Sequence, residues 1–430
     1  MSIQTVKTDL VKNTTHKVVI PFYIYAALSF FVATILLFCS ANSFTQHYFQ
    51  PRTLAITHTM ALGWGTMIIL GASHQLVPVL IEARLHSTWL AFLSFILAGI
   101  GIPALVISFF AFHFGWVAVT GALLINGAVL LFLINMALSI WKSPNKNVHA
   151  LFILTAAFWL LITTVIGLLL VCNFSHPFLP SASLHYLSLH AHIGILGWFL
   201  LLVMGVGSRL IPMFLISKFH NNKYLWSMYG LTNGALLAFI LLFILQSVGL
   251  WYLMPVSFLF IALILFGRFC YLAFKQRIRK NVDEQMKISL LSITMMAVPI
   301  IFLAILIGFV LSSGNQGSKE ILAYGFSIFF GWITAIIFGM TFKTLPFIVW
   351  NKIYHDKGGL GKTPNPKDLF SAKVFKTMSL TYLAGFILFL VGILIINSIL
   401  LQSATVLLVI TSALYNWNVM KMLLHKPLIT

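Results

Sequence analysis

Twelve stretches of this sequence are each long and apolar enough to cross a lipid bilayer, a crossing that needs about 20 apolar residues. They lie near residues 19–40, 54–81, 88–112, 115–141, 149–172, 185–216, 224–248, 252–274, 287–311, 321–350, 372–398 and 400–423. Of the 430 residues, 60% are hydrophobic and only 8% are charged, whereas a soluble domain carries about 25% charged residues. We therefore expect an all-α polytopic membrane protein in which residues 1–430 form a single membrane domain, and soluble, disordered and disulfide-rich classes are excluded.

The distribution of positive charge predicts how the chain is oriented. The sequence has 26 Lys and Arg against 7 Asp and Glu, a formal net charge of +19. All of these basic residues except Arg52 and Lys319 lie at or near the span ends that share a side of the membrane with the N-terminus. Because basic residues concentrate on the cytoplasmic side, both termini are expected inside the cell, in a bacterial-type cytoplasmic membrane. The charge then faces anionic lipid headgroups, and no nucleic-acid partner is needed to explain it.

Spans 2, 6 and 10 share an internal repeat. In each span a Gly-Trp pair is followed seven residues later by a second Gly, and a Pro follows seven residues after that. The three sets are Gly63, Trp64, Gly71 and Pro78; Gly197, Trp198, Gly205 and Pro212; and Gly331, Trp332, Gly339 and Pro346. Chance matches are common in helices rich in Gly and aromatic residues, but equal offsets at a four-span period favour a true repeat. It predicts three inward helices and three pseudo-threefold arcs of four, at about 19–141, 149–274 and 287–423.

The glycines of this repeat leave space beside their helices. Because they lack a Cβ atom, they allow close approach of another helix or of a flat cofactor. We expect Gly63, Trp64, Gly197 and Trp198 to lie beside a planar group held between spans 2 and 6.

Histidines at matching repeat positions are the candidate metal ligands. His58 and His192 each lie six residues before the repeat Trp, in the first turns of spans 2 and 6. Imidazole suits iron, copper and zinc, but no thiolate or carboxylate joins these histidines within the spans, which disfavours zinc and di-iron sites. A lone His in a span is explained as well by a hydrogen bond to a backbone carbonyl. Two at one repeat position favour a haem iron with two axial imidazoles.

Three further histidines are candidates. His190 points about 200° away from His192, given 3.6 residues per turn, so it is expected to serve a second haem or metal in a neighbouring cavity. His74 lies about 24 Å further along its helix than His58, in a polar group with Gln75, Arg209 and Lys343, for which side chains reaching towards water are the alternative explanation. His185 is a candidate peripheral copper ligand or a simple loop residue.

The sequence resembles the catalytic subunits of haem-copper oxidases and nitric oxide reductases. That family has twelve helices in three arcs, and one helix carries an H-x-H pair whose imidazoles bind two different haems. Residues 189–214, LHAHIGILGWFLLLVMGVGSRLIPMF, are similar to this helix, and residues 71–81, GASHQLVPVLI, are similar to the end of the family's second helix. The resemblance implies haem b, one or two per chain, and an electron donor such as a quinol or a cytochrome.

Several departures separate this chain from the oxygen-reducing members. Its H-x-H pair is on span 6 rather than on span 10, where Tyr324 and Phe326 stand instead. The histidines that bind the active-site copper are absent, and no Asp or Glu lies inside a span. The standard oxygen-reducing copper site is therefore not expected, while other copper binding is left open. The chain is similar to NnrS-type haem membrane proteins, which are linked to nitric oxide stress, and this similarity implies a small gaseous ligand such as nitric oxide.

Electron transfer or nitric oxide handling by a haem-containing membrane protein, an oxidoreductase if it is an enzyme, is the leading hypothesis. A secondary transporter with twelve spans is the alternative, although transporter repeats usually divide into two halves and this chain divides into three. A non-catalytic assembly factor for a respiratory complex is the third hypothesis. An absorption spectrum of the purified protein discriminates between them.

Overall fold

The computed structural model describes residues 14–247, 249–312, 317–354 and 363–427. Within these ranges the chain forms no β-strand, and twelve helices are long and apolar enough to cross a membrane. They are α1 (His16–Cys39), α2 (Pro51–Leu80), α3 (Thr88–Phe110), α4 (Trp116–Lys142), α5 (Val148–Ser175), α6 (Ser183–Leu215), α7 (Asn222–Ile244), α8 (Gly249–Lys275), α9 (Glu284–Phe309), α10 (Ser318–Tyr354), α11 (Ala372–Leu394) and α12 (Ser398–Leu423). The expected all-α, multi-pass membrane architecture is confirmed. Both chain ends lie outside the described residues, so the side of the membrane on which they lie stays a prediction.

Side-chain caps determine where half of these helices begin. In the described part of the chain, six membrane helices follow a Ser, Asn or Asp whose side chain accepts a hydrogen bond from a first-turn backbone N–H. The capping residues are Ser87, Asn147, Asn221, Asp283, Ser371 and Asn397. Each cap satisfies a donor that the helix itself leaves free. The helices therefore begin within three residues of the starts predicted from hydrophobicity.

The three helices that carry the repeat are the most buried. In their most apolar stretches α2, α6 and α10 are 67%, 56% and 78% buried, against 22–44% for the other nine membrane helices of the described ranges. Those nine expose large apolar side chains such as Trp89, Trp116 and Ile399, which suits a surface that faces lipid rather than water. The repeat thus marks the central helices, around which the others pack.

The repeat glycines are crossing points between helices. A Cβ atom at Gly71 would lie 2.5 Å from Phe22 Cβ of α1, and one at Gly205 would overlap Phe152 Cβ of α5. The third of these glycines, Gly339, is equally close to α9. The helix that precedes each central helix therefore crosses it at the same repeat position, with the close approach that small residues permit in membranes.

Candidate cofactor site

Each central helix widens to a π-helix at one repeat position. The π-helical segments are Thr59–Thr66, Ile193–Leu200 and Ser327–Ile333. They directly follow His58, His192 and Phe326. π-helical turns are rare in proteins, and those that occur are often found at functional sites. The part of the bundle where the three π-helical segments lie is therefore the candidate site.

Tryptophan side chains join the central helices at this level. The indole N–H of Trp64 on α2 donates to Thr334 Oγ1 on α10 at 3.1 Å. That of Trp198 on α6 donates to Thr66 Oγ1 on α2 at 3.0 Å. Both acceptors lie two residues after a repeat Trp, and the third such residue is Leu200, which has no hydroxyl. In both bonds a repeat Trp donates to the residue two positions after the repeat Trp of another central helix.

His58 lies opposite His190, and not opposite His192 as the repeat position alone predicted. The ring centroids of His58 and His190 are 6.3 Å apart and their planes differ by 16°. The prediction paired His58 with His192, the residue at the same repeat position of α6. In the structure His58 instead meets the residue two positions earlier, which points to nearly the opposite side of α6. A metal–imidazole bond is about 2 Å long, so two imidazoles on opposite sides of one metal have centroids about 6 Å apart. The observed spacing matches such a pair.

Backbone carbonyls orient both rings. Nδ1 of His58 donates to the carbonyl of Leu54 at 2.8 Å, and Nδ1 of His190 donates to the carbonyl of Thr163 on α5 at 3.1 Å. Because a carbonyl only accepts hydrogen bonds, each neutral ring carries its proton on Nδ1 and leaves a lone pair on Nε2. No hydrogen bond to either Nε2 atom occurs among the described residues. This is the arrangement by which proteins prepare a histidine to bind a metal.

His192 lies at the neighbouring interface, between α6 and α10. Its Nδ1 donates to the carbonyl of Ser188 at 2.8 Å, and its Nε2 lies 3.4 Å from the hydroxyl of Tyr324. The ring also contacts Phe239 of α7, with centroids 5.4 Å apart. His192 therefore lies beside the phenol of Tyr324 and not beside another imidazole. It is about half a helical turn around α6 from His190.

A cavity of about 310 Å³ surrounds the facing pair, a size within the range of about 300 to 1,000 Å³ typical of ligand sites. We call it the histidine cavity. Its walls are mainly apolar and include Leu62, Phe109, Leu160, Trp198 and Phe199. Two neutral imidazoles inside an apolar surround suit a haem, because the macrocycle supplies the other four ligands of the iron. That this cavity binds haem stays a prediction.

Gly167 of α5 makes room for the His190 ring. A Cβ atom at this position would lie 3.0 Å from His190 Cε1, which is tighter than an ordinary van der Waals contact. Gly167 also lines the histidine cavity. A larger side chain here would displace the His190 imidazole.

The predicted Gly and Trp residues divide between two roles. Trp198 lines the histidine cavity. Trp64 instead stacks on Phe30, with centroids 4.8 Å apart, in the packed centre of the bundle. The space beside Gly63 is occupied by Ser29 of α1, and that beside Gly197 by Trp159 of α5. These two glycines therefore admit a neighbouring helix rather than a flat cofactor.

The two remaining candidates, His74 and His185, do not line the histidine cavity. His74 is fully buried between Phe22 and Phe132, with centroids 5.5 and 5.4 Å away. His185 is exposed and packs on Phe243 of α7. Among the residues that the structure describes, no three His, Cys, Asp or Glu side chains group together as a metal site.

Sequence reasoning missed three features of the site: the Thr163 carbonyl, Gly167 and the pairing of His58 with His190. A backbone carbonyl has no sequence signal, and nothing distinguishes Gly167 from other glycines in the spans. The pairing did have a signal. The residue six positions before the repeat Trp of one central helix meets the residue eight positions before the repeat Trp of the next. By this rule His58 meets His190, and His192 meets Tyr324.

Comparison with known proteins adds no relative to this description. A scan against protein-family models found no match, and a search of curated proteins also found none.

Proposed function

We propose that this protein binds one haem b between α2 and α6, that His58 and His190 would hold its iron, and that the protein carries electrons within the membrane. The observation that supports this most directly is the facing pair of imidazoles with both Nδ1 atoms bonded to carbonyls. The apolar histidine cavity and the space provided by Gly167 add to it. His192 is the imidazole left for a second haem or metal.

The protein residues would orient and shield the cofactor. The carbonyls of Leu54 and Thr163 hold the rings with Nε2 towards the cavity, and the apolar walls restrict water. When bound, the haem would supply reversible one-electron chemistry at its iron. Two histidine ligands suit electron transfer from a quinol or a cytochrome.

We also propose that the chain is a divergent member of the haem-copper oxidase and nitric oxide reductase superfamily, with its helices in three arcs of four. Three observations support this: the burial of α2, α6 and α10, their shared π-helical segments and the Trp–Thr bonds between them. The helix crossings at the repeat glycines recur once in each arc.

The absorption spectrum of purified protein tests the proposed function. Protein expressed in haem-replete cells and reduced with dithionite is expected to show the sharp bands of low-spin haem b, at one haem per chain by pyridine haemochrome assay. Protein that folds and carries no haem would contradict the proposal and favour the transporter hypothesis.

Both termini are proposed to lie in the cytoplasm of a bacterial-type cell. In a variant without native cysteines, a cysteine at Ala182, between α5 and α6, is expected to react with a membrane-impermeant maleimide in intact spheroplasts. A cysteine at Lys280, between α8 and α9, is expected to react only after the membrane is opened. Both positions are exposed, so access to the reagent depends on the side of the membrane alone. The reverse labelling pattern would overturn the orientation.

A further inference from the structure

A second cavity, of about 380 Å³, lies among α2, α6 and α10 and extends towards their C-terminal ends. All three helices contribute residues at the same distances, 5, 8, 12 and 15 positions after the repeat Trp. The residues at position 5 are Ile69, Val203 and Ile337, and those at position 15 are Val79, Met213 and Phe347. Because equivalent residues of all three helices face it, we call it the axial cavity.

The axial cavity is closed at one end and open at the other. At the closed end Phe199 fills the space beside Gly65, where a Cβ atom would lie 2.8 Å from Phe199 Cε1. Phe199 lines both cavities and separates the axial cavity from the histidine cavity. At the open end Val79, Met213 and Phe347 are 50%, 51% and 52% exposed. From Ile69 to Val79 the cavity runs about 15 Å along the helices, at 1.5 Å per residue.

The polarity of the walls changes along this length. From Phe199 to the ring of residues eight positions after the repeat Trp, every lining side chain is apolar. Polar lining groups begin beyond that ring, and the main ones are Ser73, Gln75, Lys343, Thr344 and Asn351. An apolar interior with a polar mouth matches a linear amphiphile that enters tail first.

Two polar groups at the mouth are suited to a ligand that contains oxygen. Gln75 Oε1 is buried and has no hydrogen-bond partner within the described ranges, a state that carries a free-energy cost unless a donor is bound. Lys343 is buried, bonds to Asp283 next to α9, and has further N–H donors to offer. A head group with a hydroxyl for Gln75 and an acceptor oxygen for Lys343 would satisfy both.

We propose that the axial cavity binds a single acyl chain, with the tail against Phe199 and an oxygen-rich head group at Gln75 and Lys343. A free fatty acid and a lysophospholipid share this chemistry. A volume of about 380 Å³ over a length of about 15 Å suits one acyl chain better than two, and the apolar interior disfavours an ion. This binding site does not depend on the proposed haem.

Photolabelling tests the proposal on the full-length protein in phosphatidylcholine nanodiscs. The probes are palmitic acid and lysophosphatidylcholine, each with a diazirine at the methyl end of its acyl chain. With at least one probe, peptide mass spectrometry is expected to find label at Phe199 and at the ring of Ile69, Val203 and Ile337. Cavity labelling by either probe, or by both, supports the site. The probe that labels it shows whether the acyl chain comes from a free fatty acid, from a lysophospholipid or from both.

Variants that fill the cavity provide the decisive comparison. Ala72→Phe and Val206→Phe, both at the ring eight residues after the repeat Trp, are each expected to reduce cavity labelling at least tenfold. Leu237→Phe on α7, a position 60% exposed, is the matched control and is expected to label as the wild type does. Gln75→Leu is expected to weaken binding about five- to tenfold, the effect of one lost hydrogen bond.

Two results would overturn the proposal. One is label found only at outward-facing positions such as Leu237. The other is unchanged labelling in Ala72→Phe or Val206→Phe protein that remains monodisperse. The haem spectrum is recorded on the same samples, so that loss of acyl binding and loss of haem are distinguished.

Discussion

Replacing either His58 or His190 with alanine is expected to abolish the low-spin haem spectrum that we propose for this protein. Under the proposed function each replacement removes one of the two imidazoles that would hold the haem iron, so the iron would become high-spin or the haem would be lost. No other His, Cys or Met lies among the residues that line the histidine cavity, so no side chain of these types can replace the lost imidazole. Absorption spectra of the reduced protein and low-temperature electron paramagnetic resonance of the oxidised protein measure the change.

His192→Ala is the matched control, because His192 is on the same turn of α6 and its ring lies at the other interface. We expect the low-spin spectrum to survive this change, with the effect limited to any second haem or metal. Loss of the spectrum in His192→Ala and its survival in His190→Ala would show that α6 is rotated about its axis relative to the structure. That outcome would favour the pairing of His58 with His192.

Gly205→Ala is expected to destabilise the protein by about 3 kcal/mol, the upper end of the usual cost of overpacking a core. The added methyl group would overlap Phe152 Cβ of α5. Cβ is fixed to the backbone, so no rotation of the Phe152 side chain relieves the overlap, and the two helices must separate. The thermal midpoint and the yield of monodisperse protein in detergent measure the effect.

Gly230→Ala provides the comparison for this prediction. Gly230 is inside α7, and a Cβ atom there would have no described heavy atom within 4 Å. Alanine favours a helix over glycine by up to about 1 kcal/mol, so this variant is expected to be as stable as the wild type or slightly more so. Equal thermal midpoints for Gly205→Ala and Gly230→Ala would contradict the crossing of α5 and α6 at Gly205.

Much of the fold followed from the sequence because the properties that encode it are local. The length and hydrophobicity of a segment decide whether it crosses a bilayer, whatever its neighbours are. The predicted spans therefore agree with the twelve helices described, including the starts of α3 at Thr88 and α11 at Ala372. The repeat of Gly, Trp, Gly and Pro also identified α2, α6 and α10 as the inward helices, because small residues are needed where helices cross.

The site was only partly predictable. His58, His190 and His192 were all identified as candidate ligands from the sequence. The partner of His58 was not, because His190 and His192 are two residues apart and point about 200° away from each other. Which of them meets α2 depends on the rotation of α6 about its own axis.

The sequence by itself therefore determined the number of helices, their approximate ends, the three central helices and the histidines worth considering. The tertiary structure decided the pairing of His58 with His190, the carbonyl of Thr163 as the support of His190 and the axial cavity between the central helices. The physical reason is the solvent. In water an apolar stripe shows which face of a helix is buried, but lipid is as apolar as the protein interior. The rotation of a membrane helix is thus decided by packing between side chains that are distant in sequence.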